Sequence, residues 1–225
     1  MKISFFKFIV LVSAGMLPCI MLQAQKTNLF KPDKKSGWYT YLSKTGKNND
    51  PLKVFQFEEG VLHVSGEEVG YISTEKKYGS FHLTLEFKWG VKKYPPREND
   101  KRDAGILYHV NYYSGDKVWP RSLEYQIQEG DCGDFWMTDS TTILHNDTLT
   151  VAQNGLRVVK ITDAEKPYGQ WNKAEVTIKN GTITHLLNGK IVNSARLGNT
   201  TEGYIVLQSE YAEVYYKNVV IEELK

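Results

Sequence analysis

Seven polar side chains at strand spacing are the first sign of chemistry in this chain. They are Glu86, Lys88, Asp103, His109, Glu124, Gln126 and Gln128. Residues two apart on a strand share a face. In residues 103–109 that parity groups Asp103, Gly105, Leu107 and His109. In residues 123–128 it groups Glu124, Gln126 and Gln128, and turns Leu123, Tyr125 and Ile127 to the core. Three long polar residues in a row are unusual for a face that is merely solvated, where Thr, Lys and β-branched residues prevail. Glu86 and Lys88 add the same character on a third segment. If the three strands are neighbours, they build one polar groove. Carboxylates and amides in a groove hydrogen-bond hydroxyls, and an indole covers the apolar face of a pyranose ring. Trp89, Trp119 and Trp136 flank these segments, and residues 129–136 form a Gly-rich acidic turn between the last strand and Trp136. The expected ligand is a sugar.

The elements that must position this groove are strands. Phe81, Leu83, Leu85 and Phe87 alternate with His82, Thr84, Glu86 and Lys88. Ala174, Val176 and Ile178 alternate with polar neighbours in the same way. Asn180-Gly181 and Asn188-Gly189 follow strand-like runs and read as type I′ hairpin turns. Residues 54–58, 61–65, 70–73, 182–187, 203–208 and 213–222 complete a count of roughly a dozen strands by this reading of alternation. The pattern predicts an all-β antiparallel sandwich. Two polar loops, residues 90–102 with Pro95-Pro96 and residues 111–121 with Trp119-Pro120, are long enough to carry function.

The 225 residues have an ordinary globular composition, with 41% hydrophobic and 24% charged residues. Lys+Arg 28 against Asp+Glu 26 gives a net charge of +2. That is a poor footprint for a nucleic-acid partner and no reason to expect an anionic membrane surface. Residues 1–24 read as a secretory signal peptide, with Lys2 and Lys7 before an apolar run over 8–17 and cleavage after Ala24. After cleavage no membrane insertion is expected. Cys19 offers a lipoprotein reading, weakened by the Pro18 that precedes it. The mature chain would keep only Cys132, so no internal disulfide and no Cys-rich zinc site can form.

The runs Ser65-Gly66-Glu67-Glu68-Val69-Gly70-Tyr71-Ile72, Leu85-Glu86-Phe87-Lys88-Trp89, Asp103-Ala104-Gly105-Ile106-Leu107-Tyr108-His109 and Glu124-Tyr125-Gln126-Ile127-Gln128 resemble a family of secreted bacterial domains. This is the 3-keto-disaccharide hydrolase family, also described as 3-keto-glucoside 1,2-lyases and 3-keto-2-hydroxyglucal hydratases. Residues 203–208 and 216–221 fit it too, while the opening Leu29-Phe30-Lys31-Pro32 departs from its usual pattern. The resemblance spans residues 25–225 and implies one concanavalin-like jelly-roll sandwich of two antiparallel sheets. It also implies a substrate already oxidised at C3 by a separate glycoside 3-dehydrogenase, and a periplasmic site of action. A C3 ketone acidifies the C2 proton, so a base can form an enolate that expels the C1 aglycone. The reaction needs a base, a charge stabiliser and an acid.

On that resemblance His109 is the expected base, because imidazole titrates near neutral pH. Glu124 is its acid partner, and Lys88 or Arg102 stabilises the enolate. Glu86, Asp103, Gln126 and Gln128 join Trp89, Trp119 and Trp136 in binding the sugar. A divalent metal ion is a further expectation, with His109, Glu124 and Asp103 as ligands. His63, His82, His145 and His185 read as structural or surface residues. Two alternatives stay open. One is a non-catalytic carbohydrate-binding module using the same groove. The other is a retaining glycosidase with Glu124 and Glu129 brought to one face by a bulge, although Gln126 stands where such enzymes carry an Asp.

Overall fold

The computed structural model describes residues 25–30, 37–113, 115–152 and 155–225. The expected leader over 1–24, with Cys19 and the Ala24 cleavage point, lies outside the described residues. Those residues form 18 strands in two antiparallel sheets, one of ten strands and one of eight. The fold is the all-β antiparallel sandwich that alternation predicted, in the jelly-roll form that the resemblance implied. Inward rows from both sheets make one core: Leu83, Leu85, Phe87, Val176, Ile178, Val214 and Tyr216 face Ala104, Ile106, Tyr108, Leu123, Tyr125, Ile127 and Leu207. Each large side chain buried this way contributes about 1.5–3 kcal/mol.

The two Asn-Gly turns form as read. Asn180 and Gly181, at φ 51 and 74, close Lys179 onto Thr182; Asn188 and Gly189, at φ 51 and 81, close Leu187 onto Lys190. The strand count rises above a dozen because several strands, such as Gly46–Lys47, Phe135–Met137 and Leu156–Val158, are two or three residues long. A run that short cannot display a period of two.

The eight-stranded sheet runs in the order Leu156–Val158, Phe135–Met137, Arg121–Gln128, Asp103–Asn111, Tyr204–Ser209, Gly70–Thr74, Trp38–Leu42, Gly46–Lys47. Asp103–Asn111 and Arg121–Gln128 are therefore neighbours, as the groove required. Phe81–Lys93 is not beside them. It belongs to the ten-stranded sheet, between Asn172–Lys179 and Ala212–Glu223. The chain crosses between sheets in the loop after Lys93. This corrects three expectations. Glu86 lies on the opposite outer surface, accepting a hydrogen bond from Asn218 Nδ2 at 2.6 Å. Lys88 lies there too, its Nζ 5.1 and 5.4 Å from the ring centroids of Trp171 and Tyr215. Trp89 is buried in the core, where its Nε1 donates to Glu165 Oε1 at 3.4 Å.

The outer face of the eight-stranded sheet is divided. At one end Tyr39, Tyr41, Tyr71, Tyr112 and Tyr204 pack on Leu107, Val110 and Val206 and fill the surface. Asp116, from the loop that also carries Trp119, accepts from the hydroxyls of Tyr71 at 3.0 Å and Tyr39 at 3.2 Å and pins that loop down. The other end is left open.

His185 marks the centre of the sandwich. The Tyr108 hydroxyl donates to its Nε2 at 2.9 Å, and its Nδ1 donates to Gly133 O at 3.0 Å. Phe135 and Tyr125 press on the ring at centroid distances of 4.0 and 4.6 Å. Burial pushes its pKa down to about 3, against the opposing pull of the Gly133 carbonyl. A depressed histidine stabilises the fold fully above its unfolded pKa near 6.5, and that contribution is lost as pH falls toward the folded value. The His185→Gln variant cannot take up this proton. Urea unfolding should therefore show the wild-type-minus-variant stability difference shrinking by about 2 kcal/mol between pH 6.5 and 5, at 1.36 kcal/mol per unit. A constant difference would show that His185 does not titrate this way.

Candidate active site

Four strands and two loops enclose a cavity of about 570 Å³ at the open end of the face. Its floor is the pair Asp103–Asn111 and Arg121–Gln128, in a register that sets Gly105 opposite Gln126, Leu107 opposite Glu124 and Asp103 opposite Gln128. Glu124, Gln126 and Gln128 all project into it, as parity predicted, and so does Asp103. Trp136, opposite Glu124 on the next strand, forms a wall with Trp119 and Thr138. That wall is braced from behind. Buried Asp134 accepts from Arg157 Nε at 2.5 Å and from the Lys160 amide at 2.8 Å, tying the edge strand Leu156–Val158 to the strand of Trp136.

Among the lining residues that the sequence reading did not name are Arg97, Gln208 and Glu210. Arg97 reaches in from the Pro95-Pro96 loop. Gln208 and Glu210 come from the end of Tyr204–Ser209 and the turn beyond it. Arg97 Nη1 lies 2.7 Å from Asp103 Oδ2 and 2.6 Å from Glu210 Oε1. Asp103 is also gripped by Gln126 Nε2 at 2.9 Å and Gln128 Nε2 at 2.6 Å. Parity along the run 203–208 could have found Gln208, since Ile205 and Leu207 face the core. The charged loop 90–102 was a correct pointer to Arg97. Nothing in the sequence marks Glu210.

The three carboxyls differ in their hold on a proton. Burial pushes Asp103 up, but Arg97 and Gln128 pull it back. Burial and then the charge of Asp103 push Glu210 up to about 8, against the pull of Arg97. Glu124 is raised furthest: burial, Glu210 and Asp103 all act in one direction, with no opposing cation. Arg97 is held charged by Asp103 and Glu210, which outweigh its own burial. Asp103 is thus the best-bonded carboxyl of the three, Glu124 has no cation to lower its proton affinity, and Glu210 stands between them.

His109 is elsewhere. Strand parity would put it on the cavity face, but its φ of 50 and a register shift between Tyr108 and Asn111 turn it inward. Val110 takes the outer position in its place. The imidazole is 1% exposed, its Nε2 bonds Gly79 O at 2.9 Å and its Nδ1 bonds Thr200 Oγ1 at 3.1 Å. Burial lowers its pKa. The ligand set of His109, Glu124 and Asp103 is therefore not assembled, since both ring nitrogens are engaged away from the cavity. Among the described residues no group of three or more His, Cys, Asp or Glu side chains is placed to hold a metal ion. Arg102 also stands outside the cavity. Its guanidinium bonds Glu129 at 2.8 Å and Gly90 O at 3.0 Å and stacks 4.5 Å from the Tyr168 ring. Glu129 is thereby spent on Arg102, and the strand Arg121–Gln128 carries no bulge that would turn it toward Glu124.

Residues 25–222 match the model of the 3-keto-alpha-glucoside-1,2-lyase-like domain. No curated protein matches the sequence. Among solved structures the chain is similar to a candidate glycosyl hydrolase from Parabacteroides distasonis, at 24% identity and a TM-score of 0.62, covering 89% of this chain and 94% of the other. It is also similar to the carbohydrate-binding module CBM66 from Bacillus subtilis, at 11% identity and a TM-score of 0.58 over 83% and 96% of the two chains. A third is the Bacillus licheniformis beta-glucanase, at 10% identity and a TM-score of 0.56 over 90% and 98%. At these identities the solved structures share a fold with this chain.

Removing the one cation from this cluster should be most costly above pH 8, where Glu210 is ionised. Arg97→Met leaves Asp103 and Glu210 facing each other with no cation between them, a loss of about 3 kcal/mol for a buried pair broken on one side. The loss should shrink at pH 6, where Glu210 has taken up its proton. Urea midpoints at pH 9 and pH 6 test this, and an equal loss at both values would contradict it.

Proposed function

Because the chain belongs to the family of 3-keto-alpha-glucoside-1,2-lyase-like domains, we propose that it cleaves 3-keto-glucosides by proton abstraction at C2 and β-elimination of the C1 aglycone. The observation that carries this reading is the gathering of three carboxyls in unlike surroundings, two beside Arg97 and one without a cation, within one sugar-sized cavity. Paired titratable groups with divergent proton affinities are how a site runs acid and base steps together.

In this reading Glu210 takes the C2 proton. Its Oε1 is bonded to Arg97, which leaves Oε2 free, and a pKa of about 8 makes it a far stronger base than an ordinary carboxylate. The electrons of the C2–H bond form the enolate, and its charge settles on the C3 oxygen beside the Arg97 guanidinium. Collapse of the enolate breaks the C1–O bond. Glu124, neutral and on the neighbouring part of the floor, gives its proton to the departing oxygen. The products are a 3-keto-2-hydroxyglucal and a free alcohol, and water can then add across the new double bond. Asp103 is a positioning residue, holding Arg97, Gln126 and Gln128 in place. Gln126 and Gln128 offer amide oxygens to sugar hydroxyls, and Trp119 and Trp136 flank the ring. The reading gives His109, Lys88, Glu86, Trp89 and Arg102 no contact with substrate. It places the enzyme in the periplasm, supplied by a separate glycoside 3-dehydrogenase.

The reading predicts that 3-keto-trehalose in deuterated water is converted to free glucose and a 3-keto-2-hydroxyglucal that has lost its C2 proton, which becomes a 3-keto-glucose carrying deuterium at C2 once water adds, seen by NMR. Unchanged substrate with saturation-transfer signals would replace it with a binding-module function. Glu210→Gln and Glu124→Gln should each lower kcat/KM by about 10²–10⁴-fold, the range for one proton-transfer partner. His109→Gln, once corrected for folded fraction, should leave it within a few-fold. The basic limb of activity has its own sign. The base must be ionised, so kcat/KM should rise with pH through about 8, and Glu210→Gln should abolish that limb.

A further inference from the structure

Gly105 lies in the cavity floor between Glu124 and Gln208. The point that a Cβ on Gly105 would occupy is already overlapped by Glu124 Oε1 from one side and Gln208 Oε1 from the other. Only glycine leaves room for both, and they meet above its Cα. Gln208 Oε1 is shielded from solvent and has no hydrogen-bond donor in the protein, and its residue is 2% exposed. Glu124 is 8% exposed and lines the cavity. A carboxylate oxygen beside that amide oxygen would be repulsive and would leave the buried Gln208 acceptor unpaired, which folded proteins rarely tolerate. A proton on the carboxyl removes the conflict, because O–H···O is then the natural bond between them.

We propose that Gln208 is a positioning residue that fixes the proton of Glu124, its amide oxygen accepting a hydrogen bond from the neutral carboxyl. The surroundings agree. Asp103 and Glu210 face Glu124 across the floor, and the only cation lining the cavity among the described residues, Arg97, is already shared by those two. Asp139 lines the far rim, and Tyr108 and Tyr216 lie below, in the core. An ionised Glu124 would add a negative charge beside those two carboxyls with no cation left to pair it. The alternative arrangement, with Gln208 turned to donate its amide to an ionised Glu124, requires that unpaired charge. The bond also has a direction. It holds the acid hydrogen in one rotamer until an acceptor enters the cavity, and Gln208 is then released. That this acceptor is a leaving-group oxygen rests on the function proposed above; the shared proton does not.

Infrared spectroscopy reads the proton without any substrate. At pH 7 the wild-type protein should show a carboxylic acid carbonyl band that Glu124→Gln removes and Glu210→Gln leaves in place. In Gln208→Leu, or in Gln208→Met should the leucine variant fail to fold, the band should move to higher frequency as the hydrogen bond is lost. Absence of the band in wild type at pH 7, or an unmoved band in the Gln208 variants, would overturn the proposal. Turnover is scored separately. Loss of the acid limb of the pH profile in Gln208→Leu, with the band shifted, would tie the bond to catalysis. A shifted band in a protein that never turns over 3-keto-trehalose would sink the enzymatic reading and leave the shared proton standing.

Discussion

One guanidinium stands among three carboxyls, and the arrangement of the open cavity follows from that shortage. Asp103, Glu124 and Glu210 line the same 570 Å³ space, and Arg97 reaches two of them. Two amide donors settle the competition for Asp103, which is bonded by Gln126 and Gln128 as well. Glu210 is left with half a share of Arg97. Glu124 has none. The order of proton affinity is therefore set by a count of donors and by depth. Buried charge that is left partly unpaired opposes folding, so the rest of the sandwich must compensate. It does so with a continuous core from two sheets and with a wall fixed by Asp134 and Arg157.

Much of this floor is legible in the sequence, and the reasons are local. Period-two alternation survives along Arg121–Gln128 because that strand is regular and paired on both sides. Hence Glu124, Gln126 and Gln128 could be placed on one face from spacing. Asp103 could be placed for the same reason. The Asn-Gly turns are equally local, since left-handed backbone at two successive positions selects those residues.

The failures are not local. His109 obeys parity in sequence but sits in left-handed backbone at a register shift, and a one-residue slip exchanges the faces. Nothing in the alternation of residues 103–109 announces it. Glu86 and Lys88 were assigned the right face of the right strand and the wrong sheet. In a sandwich, both sheets show one polar face to solvent, and parity cannot say which solvent-facing surface a strand belongs to. Trp89 shows the same ambiguity from the other side: an aromatic beside a polar run was core. Glu210 stands just past a strand end, where periodicity stops carrying information, and only the bridge between Asp103 and Glu210 brings it to the cavity.

The position of the last strand has a consequence for how the molecule comes into being. Ala212–Glu223 lies inside the ten-stranded sheet, with Phe81–Lys93 on one side and Val61–Val64 on the other, and it also receives Lys26–Asn28. The segments it joins precede it by well over a hundred residues. Until it docks, that sheet exists as two separate ribbons with bare edges. Pairings of such long sequence separation must overcome loop-closure entropy before they are rewarded, and they set slow folding rates. The floor of the cavity has the same dependence, because Tyr204–Ser209 brings in Gln208 beside Gly105. The guanidinium and the carboxyls therefore line one cavity only after Tyr204–Ser209 has joined the sheet. A chain short of that strand exposes sheet edges and lacks the assembled cavity.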